Sequence, residues 1–217
     1  MNFRFVTNIL FPRSCLSCGG ALRDGVLCAP CGRIITLAPA IFGLASPCPR
    51  GSATHYENPA VKSLIHALKF RYIKDAAIDL GRILAAGLAA LPLDFTDYAL
   101  TPVPLSKKRE RLRGFNQAAL IARECARISG LPYRDGIITR TAHRKPQSET
   151  ADLAERAQNI KGCFAPAPAS GPLSESPPSS VILVDDVTTS GATFAEAAVA
   201  LRNAGVQKII AIAVARA

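Results

Sequence analysis

Two aspartates in succession, Asp185 and Asp186, follow the apolar run Val181, Ile182, Leu183, Val184. After Val187 the chain turns through Thr188, Thr189, Ser190, Gly191, Ala192 and Thr193, and Phe194 to Asn203 reads as a helix. A buried strand that ends in acids and turns through hydroxyls and one glycine into a helix is a phosphate cradle. Free N–H groups and the positive end of the helix dipole attract an anion there. The acids repel a phosphate, so they suit a sugar diol, which donates O–H bonds, or a magnesium ion. Phosphate on one side and diol on the other describe a ribose 5-phosphate group. The rival is an ordinary capped helix, because Ser and Thr are common N-caps. The paired acids weigh against that rival, since two buried carboxylates are costly without partners. No Gly-Lys-Thr/Ser follows, so this is not a Walker A loop, and it lacks the GxGxxG of a dinucleotide turn.

Cysteines form a second constellation. Cys15 and Cys18 make one CxxC pair and Cys28 and Cys31 another, with the glycine-rich turn from Gly19 to Gly25 between them. Two such pairs bring four thiolates to tetrahedral reach, the ligand set of a structural zinc. A redox dithiol pair or a lost site are the alternatives. Cys48 has no CxxC partner and reads as a free thiol, and Cys125 falls on the apolar face of a helix. A third cluster is basic: Lys107, Lys108, Arg109, Arg111 and Arg113 place five cations within seven residues. They repel one another unless anions are present. The three histidines show no ligand spacing to one another or to the cysteines.

These groups need a frame to hold them. A chain of 217 residues allows one domain of ordinary size with a small appendix, and 49% hydrophobic residues can bury a sizeable core. The formal net charge of +10 points to a polyanionic partner, either nucleic acid or phosphorylated small molecules. Seven cysteines, an odd and clustered set, fit a reducing cytoplasm better than a secreted disulfide framework. No signal peptide is read, and the longest apolar run, Ile83 to Leu93, is too short to insert into a membrane. Residues 1–50 read as a zinc-ribbon-like unit and 51–217 as the main domain, with the Pro-, Ala- and Ser-rich stretch 165–180 as a loose surface loop. Asn58 before Pro59 starts a helix. A second helix is read from Asp75 to Leu91 and a strand from Asp97 to Val103. The basic cluster is then a loop leaving the carboxyl end of that strand, where ligands of open α/β sheets bind. A helix from Asn116 to Ser129, a strand from Ile137 to Arg140, a helix from Asp152 to Ile160 and a last strand from Val206 to Val214 complete the frame.

D-D-V-T-T-S-G-A-T at 185–193 resembles the phosphoribosyl pyrophosphate (PRPP) loop of type I phosphoribosyltransferases. With Leu68-Lys69-Phe70-Arg71, Pro102-Val103-Pro104-Leu105, Arg113-Gly114-Phe115-Asn116-Gln117, Pro146-Gln147-Ser148, Arg156 and Asn159, the wider pattern resembles the ComF family. Tyr72 stands where that family usually has glycine, and the family's second cysteine pair is missing around Cys48. The resemblance implies an α/β fold, type I phosphoribosyltransferase-like, with a mostly parallel sheet flanked by helices. It implies that Asp185 and Asp186, the candidate catalytic pair, hold the ribose hydroxyls. Thr188, Thr189, Ser190, Gly191, Ala192 and Thr193 would hold the 5′-phosphate. Lys107, Lys108 and Arg109 would meet pyrophosphate, with magnesium accompanying PRPP. Lys69 and Arg71 would face the ligand. The implied partners are PRPP or another phosphoribosyl ligand, single-stranded DNA and the DNA-uptake machinery of natural transformation. The implied alternative is an active transferase of nucleotide metabolism, moving phosphoribosyl from PRPP to an acceptor.

Overall fold

The computed structural model describes residues 13–22, 25–43, 47–141, 162–168 and 176–217. Two minimal strands, β1 (Arg13–Ser14) and β2 (Ala21–Leu22), pair antiparallel, and a one-turn helix α1 (Ala29–Arg33) follows. The main sheet contains β3 (Ala40–Phe42), β4 (Arg50–His55), β5 (Ala99–Pro102), β8 (Ser180–Thr188) and β9 (Lys208–Arg216), in the spatial order β3-β4-β9-β8-β5. The β4–β9, β9–β8 and β8–β5 pairs are parallel, and within this sheet the edge strand β3 alone runs antiparallel. A small antiparallel pair, β6 (Ile138–Arg140) and β7 (Phe164–Pro166), lies apart from it.

The helices α2 (Pro59–Phe70), α3 (Ala76–Ala90), α4 (Lys107–Arg113), α5 (Gln117–Ser129) and α6 (Ala192–Asn203) connect these strands. Local chemistry sets their starts. Asn58 Oδ1 accepts from the N–H groups of Ala60 and Val61, and Asn116 Oδ1 from that of Ala118. Both cap side chains also reach outward. Asn58 Nδ2 donates to the Ile34 carbonyl at 2.7 Å, tying the cysteine unit to α2. Asn116 Nδ2 donates to the Val103 carbonyl at 3.0 Å, tying α5 to the end of β5.

The sheet is covered on both faces, so its central strands alternate between two apolar clusters. Ile182, Val184, Ile212 and Val214 join Leu64, Leu68, Leu80, Leu84 and Ile121 from α2, α3 and α5. Val181, Leu183, Ala211 and Ala213 join Phe194, Ala198 and Leu201 from α6, and Ile138 and Phe164 from the β6–β7 pair. Cys125 is fully buried in the first cluster, and Cys48 and Cys163 lie in the second.

Several sequence expectations shift. Lys107–Arg113 is a helix, not a loop: Ser106 Oγ accepts from the Arg109 N–H, and Gly114 closes the turn at φ 74. Long basic side chains are good helix formers, and the cap outweighs their mutual repulsion. Asp185 and Asp186 do not follow their strand but belong to it, because pairing with β9 continues to Thr188. β4 carries no alternation that marks it, yet it is a full member of the parallel sheet. Ala40–Phe42 also belongs to this sheet, although its position in sequence groups it with the cysteine unit. Of the stretch 165–180, Ala165 and Pro166 lie in β7 and Ser180 opens β8. The expected helix over 152–160, the P-Q-S residues, Arg156 and Asn159 lie outside the described residues. No helix among the described residues is long and apolar enough to cross a membrane.

Candidate functional site

The alternation of β8 sends its two carboxylates to opposite faces of the sheet. Asp186 follows Ile182 and Val184 toward α2, where Lys69 Nζ meets its Oδ1 at 2.8 Å. Asp186 is buried, and three-quarters of the Lys69 side chain is covered. Asp185 follows Val181 and Leu183 toward β6 and feels the charge of Arg140. Its Oδ1 accepts from the Asp186 N–H at 2.8 Å. Burial, then the neighbouring charge of Asp186, push the Asp185 carboxyl up to about 7, against the opposing pull of Lys69 and Arg140. One acid is thus paired directly with a lysine, while the other takes or releases a proton near neutrality.

Beyond Thr188 the chain leaves the sheet as a tight turn. Thr189 and Ser190 are exposed, and Gly191 is the cap residue of α6 at φ 77. No side chain of the cap residue bonds the helix start, and the Ala192 N–H reaches Ser190 Oγ only at 3.4 Å. The run of hydroxyls is therefore poorly explained by conventional capping, in which the cap side chain itself accepts from the first-turn amides. Arg50, on β4, donates through Nη1 to the Ser190 carbonyl at 2.7 Å.

The basic helix α4 buries none of its residues. It follows β5, which pairs with β8, so the topology delivers it to the same carboxyl edge as the acids and the turn. Arg109 stands close enough to Arg140 to disfavour its charge, although burial is the main cause of the lowered Arg140 pKa. Lys107 and Lys108 make no ion pair with the acids and no hydrogen bond to the turn among the described residues. Lys74 lies over the Phe115 ring at 5.3 Å and ties the segment after α4 to the segment after α2. Tyr72 holds φ 55. The left-handed backbone that glycine favours is kept here by a bulky side chain.

The cysteine unit is assembled as a metal site. The sulfurs of Cys15, Cys18, Cys28 and Cys31 lie within 4.8 Å of one another, and this group can hold a metal ion. Cys18 Sγ and Cys28 Sγ are 3.7 Å apart, close to the edge of about 3.8 Å that a tetrahedron with Zn–S bonds of about 2.3 Å requires. The Cys28 N–H points at Cys15 Sγ and the Gly20 N–H at Cys18 Sγ. Burial works to raise the Cys15 thiol, but N–H groups of Cys18, Cys28 and Ser17 overcome it and bring it down to about 6. These N–H groups favour a thiolate at Cys15; at Cys31 the Ser17 hydroxyl works the same way, but hydrogen bonding with Cys28 and burial outweigh it and push the thiol up to about 12.

Two of the three basic residues of this site, Arg50 and Arg140, escape a motif-by-motif reading of ligand groups. Lys69 carries a signal, its place in the L-K-F-R stretch, but nothing in the sequence says that it meets Asp186. Arg140 is readable only as one of several cations near a strand end. Arg50 has no signal, because its strand has none.

Together these features define a mostly parallel α/β sheet whose carboxyl edge gathers paired acids, a glycine-capped hydroxyl turn and a basic helix, preceded in the chain by four cysteines that can hold a metal ion. No family model matches the chain. It is 32% identical over 198 residues to the DNA utilization protein YhgH of Salmonella typhi, spanning 87% of this chain and 78% of that protein. It is 30% identical over 200 residues to the same-named protein of Escherichia coli strain K12, with 87% and 84% covered. Competence protein F of Haemophilus influenzae is 37% identical over 119 residues, which span 55% of this chain and half of that protein. The chain belongs to the ComF family. Among solved structures, glutamine PRPP amidotransferase from B. subtilis, complexed with ADP and GMP, overlaps 63% of this chain and 25% of its own, at 20% identity and a TM-score of 0.39.

Proposed function

We propose that this protein binds PRPP or another phosphoribosyl ligand at the carboxyl edge of β8 and serves in DNA uptake during natural transformation. The observation that carries the pocket is the pair of acids at the carboxyl end of one strand, directly before a turn whose helix start is capped by glycine. Asp185 and Asp186 accept from the ribose hydroxyls. Thr188, Thr189, Ser190, Gly191, Ala192 and Thr193 receive the 5′-phosphate. Lys107, Lys108 and Arg109 meet pyrophosphate, and magnesium arrives with PRPP. The names of the relatives, competence protein and DNA utilization protein, support the cellular role. The net charge of +10 and the exposed basic helix suit a single strand of DNA.

Zinc is the metal proposed for Cys15, Cys18, Cys28 and Cys31. Four sulfur ligands at tetrahedral spacing suit it, and its bonds would staple a unit too short to build its own core.

The second reading is transfer chemistry, favoured by the two unlike carboxylates and the adjoining cations. A nucleophile would attack the anomeric carbon of PRPP while the bond to pyrophosphate breaks. The departing charge would fall to the basic residues.

Calorimetry with PRPP and magnesium tests the pocket, with Asp185→Asn plus Asp186→Asn as the control. Binding by the intact protein that the double variant abolishes supports it, and no binding by the intact protein rejects it. Release of pyrophosphate with a candidate base then separates transferase from binder.

A further inference from the structure

The turn between β8 and α6 is held from below by a residue with no place in its motif. Arg50 opens β4, where its backbone is fixed between Ala211 of β9 and Phe42 of β3. Its Nη1 donates to the Ser190 carbonyl at 2.7 Å. Its Nε is buried and has no hydrogen-bond partner among the described residues. No carboxylate among those residues pairs with it either. Glycines flank the guanidinium on two sides. A Cβ at Gly191 would overlap Nη1, and a Cβ at Gly43 would overlap Nη2 and Nε. Gly191 thus does more than allow φ 77: it makes room for an arginine from a strand 140 residues earlier in the chain.

Resting on the phosphoribose reading above, we propose that Arg50 is a positioning residue for the anion-binding turn. By holding the Ser190 carbonyl down toward the sheet, it keeps that acceptor away from an incoming phosphate. Neighbouring N–H groups and hydroxyls are left to face outward. The charge it brings is fixed and has no acidic counter-ion among the described residues, so it raises the potential of the turn without touching the ligand. A planar fork held between two glycines is not reproduced by lysine, which carries the same charge on a flexible stem.

Calorimetric titration with ribose 5-phosphate, alongside thermal unfolding, separates the possibilities. Arg50→Gln is expected to weaken ribose 5-phosphate binding at least tenfold, and Arg50→Lys to restore only part of that loss. Gly43→Ala leaves Arg50 and the turn in sequence intact but crowds the guanidinium. It is expected to weaken binding in the same direction, and it serves if Arg50→Gln fails to fold. Amide exchange in residues 188–193 should quicken in all three variants. Unchanged affinity in folded Arg50→Gln or Gly43→Ala overturns this role while leaving the pocket standing. Failure of the intact protein to bind ribose 5-phosphate overturns the pocket, and this role with it.

Discussion

Lys69 Nζ lies 2.8 Å from Asp186 Oδ1, joining the last turn of α2 to the carboxyl end of the inner strand β8. Helix geometry places Lys69 just past the buried Leu64, Ile65 and Leu68, so the same packing that seats the helix delivers the ammonium to the acid. The pair gives one of the two acids a counter-ion and leaves the other to respond to its surroundings.

Removing one partner of a buried pair strands the other charge. Lys69→Met should destabilise the protein by about 2–3 kcal/mol, below the upper range for buried pairs because the lysine is partly solvated. Adding Asp186→Asn should recover much of that loss, with a coupling of about 1–2 kcal/mol. Denaturant midpoints of the two single variants and the double variant measure it, and additive effects would show that the pair carries no energy.

Asp185 gives a pH signature. Its carboxyl is raised to about 7 in the folded chain, from a starting value of 3.8. The unfolded chain therefore releases this proton first, and the group opposes folding as it ionises. Its stabilising contribution is complete below about pH 4 and is lost as the pH rises through 7. Asp185→Asn should match the parent protein in stability near pH 4 and exceed it progressively up to pH 8, before ligand is added. Melting temperatures across that range test this, and a constant gap would refute it.

Tyr72 holds a left-handed backbone at φ 55 with nearly half of its surface exposed. That conformation costs a side-chain-bearing residue about 1–2 kcal/mol. Tyr72→Gly should therefore raise stability by about 1 kcal/mol, readable from the urea midpoint. A loss instead would mean that the tyrosine side chain makes up for its backbone.

The basic helix offers a clean substitution site, because none of its residues is buried. Replacing Lys107, Lys108 and Arg109 by Gln should leave the melting temperature within a few degrees. It should lower the slope of log affinity against log salt for a single-stranded oligonucleotide by about 2, at roughly 0.7 for each phosphate no longer neutralised. An unchanged slope would place the DNA elsewhere than on α4.

Purified without chelator, the chain should carry about one zinc, and any single substitution among Cys15, Cys18, Cys28 and Cys31 by Ser should release it. Chelation should speed amide exchange through residues 13–33 while β8 and β9 stay protected. Protein free of metal with that region equally protected would reject a structural role.

Much of this protein was legible because its chemistry is local. The CxxC spacing, the acid pair, the hydroxyl turn, the caps at Asn58 and Asn116 and the apolar runs of β8 and β9 depend on neighbours a few residues away. Sequence alone therefore determined a parallel α/β frame, the two ligand-bearing stretches and the family they resemble. Tertiary structure decided what pairs with what. Lys69 finds Asp186, Arg140 comes near enough for its charge to act on Asp185, and Arg50 reaches Ser190 across 140 positions in sequence. β4 and the helix at Lys107–Arg113 were settled the same way, one by parallel pairing with β9 and the other by the Ser106 cap acting on a run that charge repulsion alone would leave open. The reason is common to all of them. A strand's alternation fixes which face a side chain takes, but only the sheet order and the helices laid on it determine which charge is waiting there.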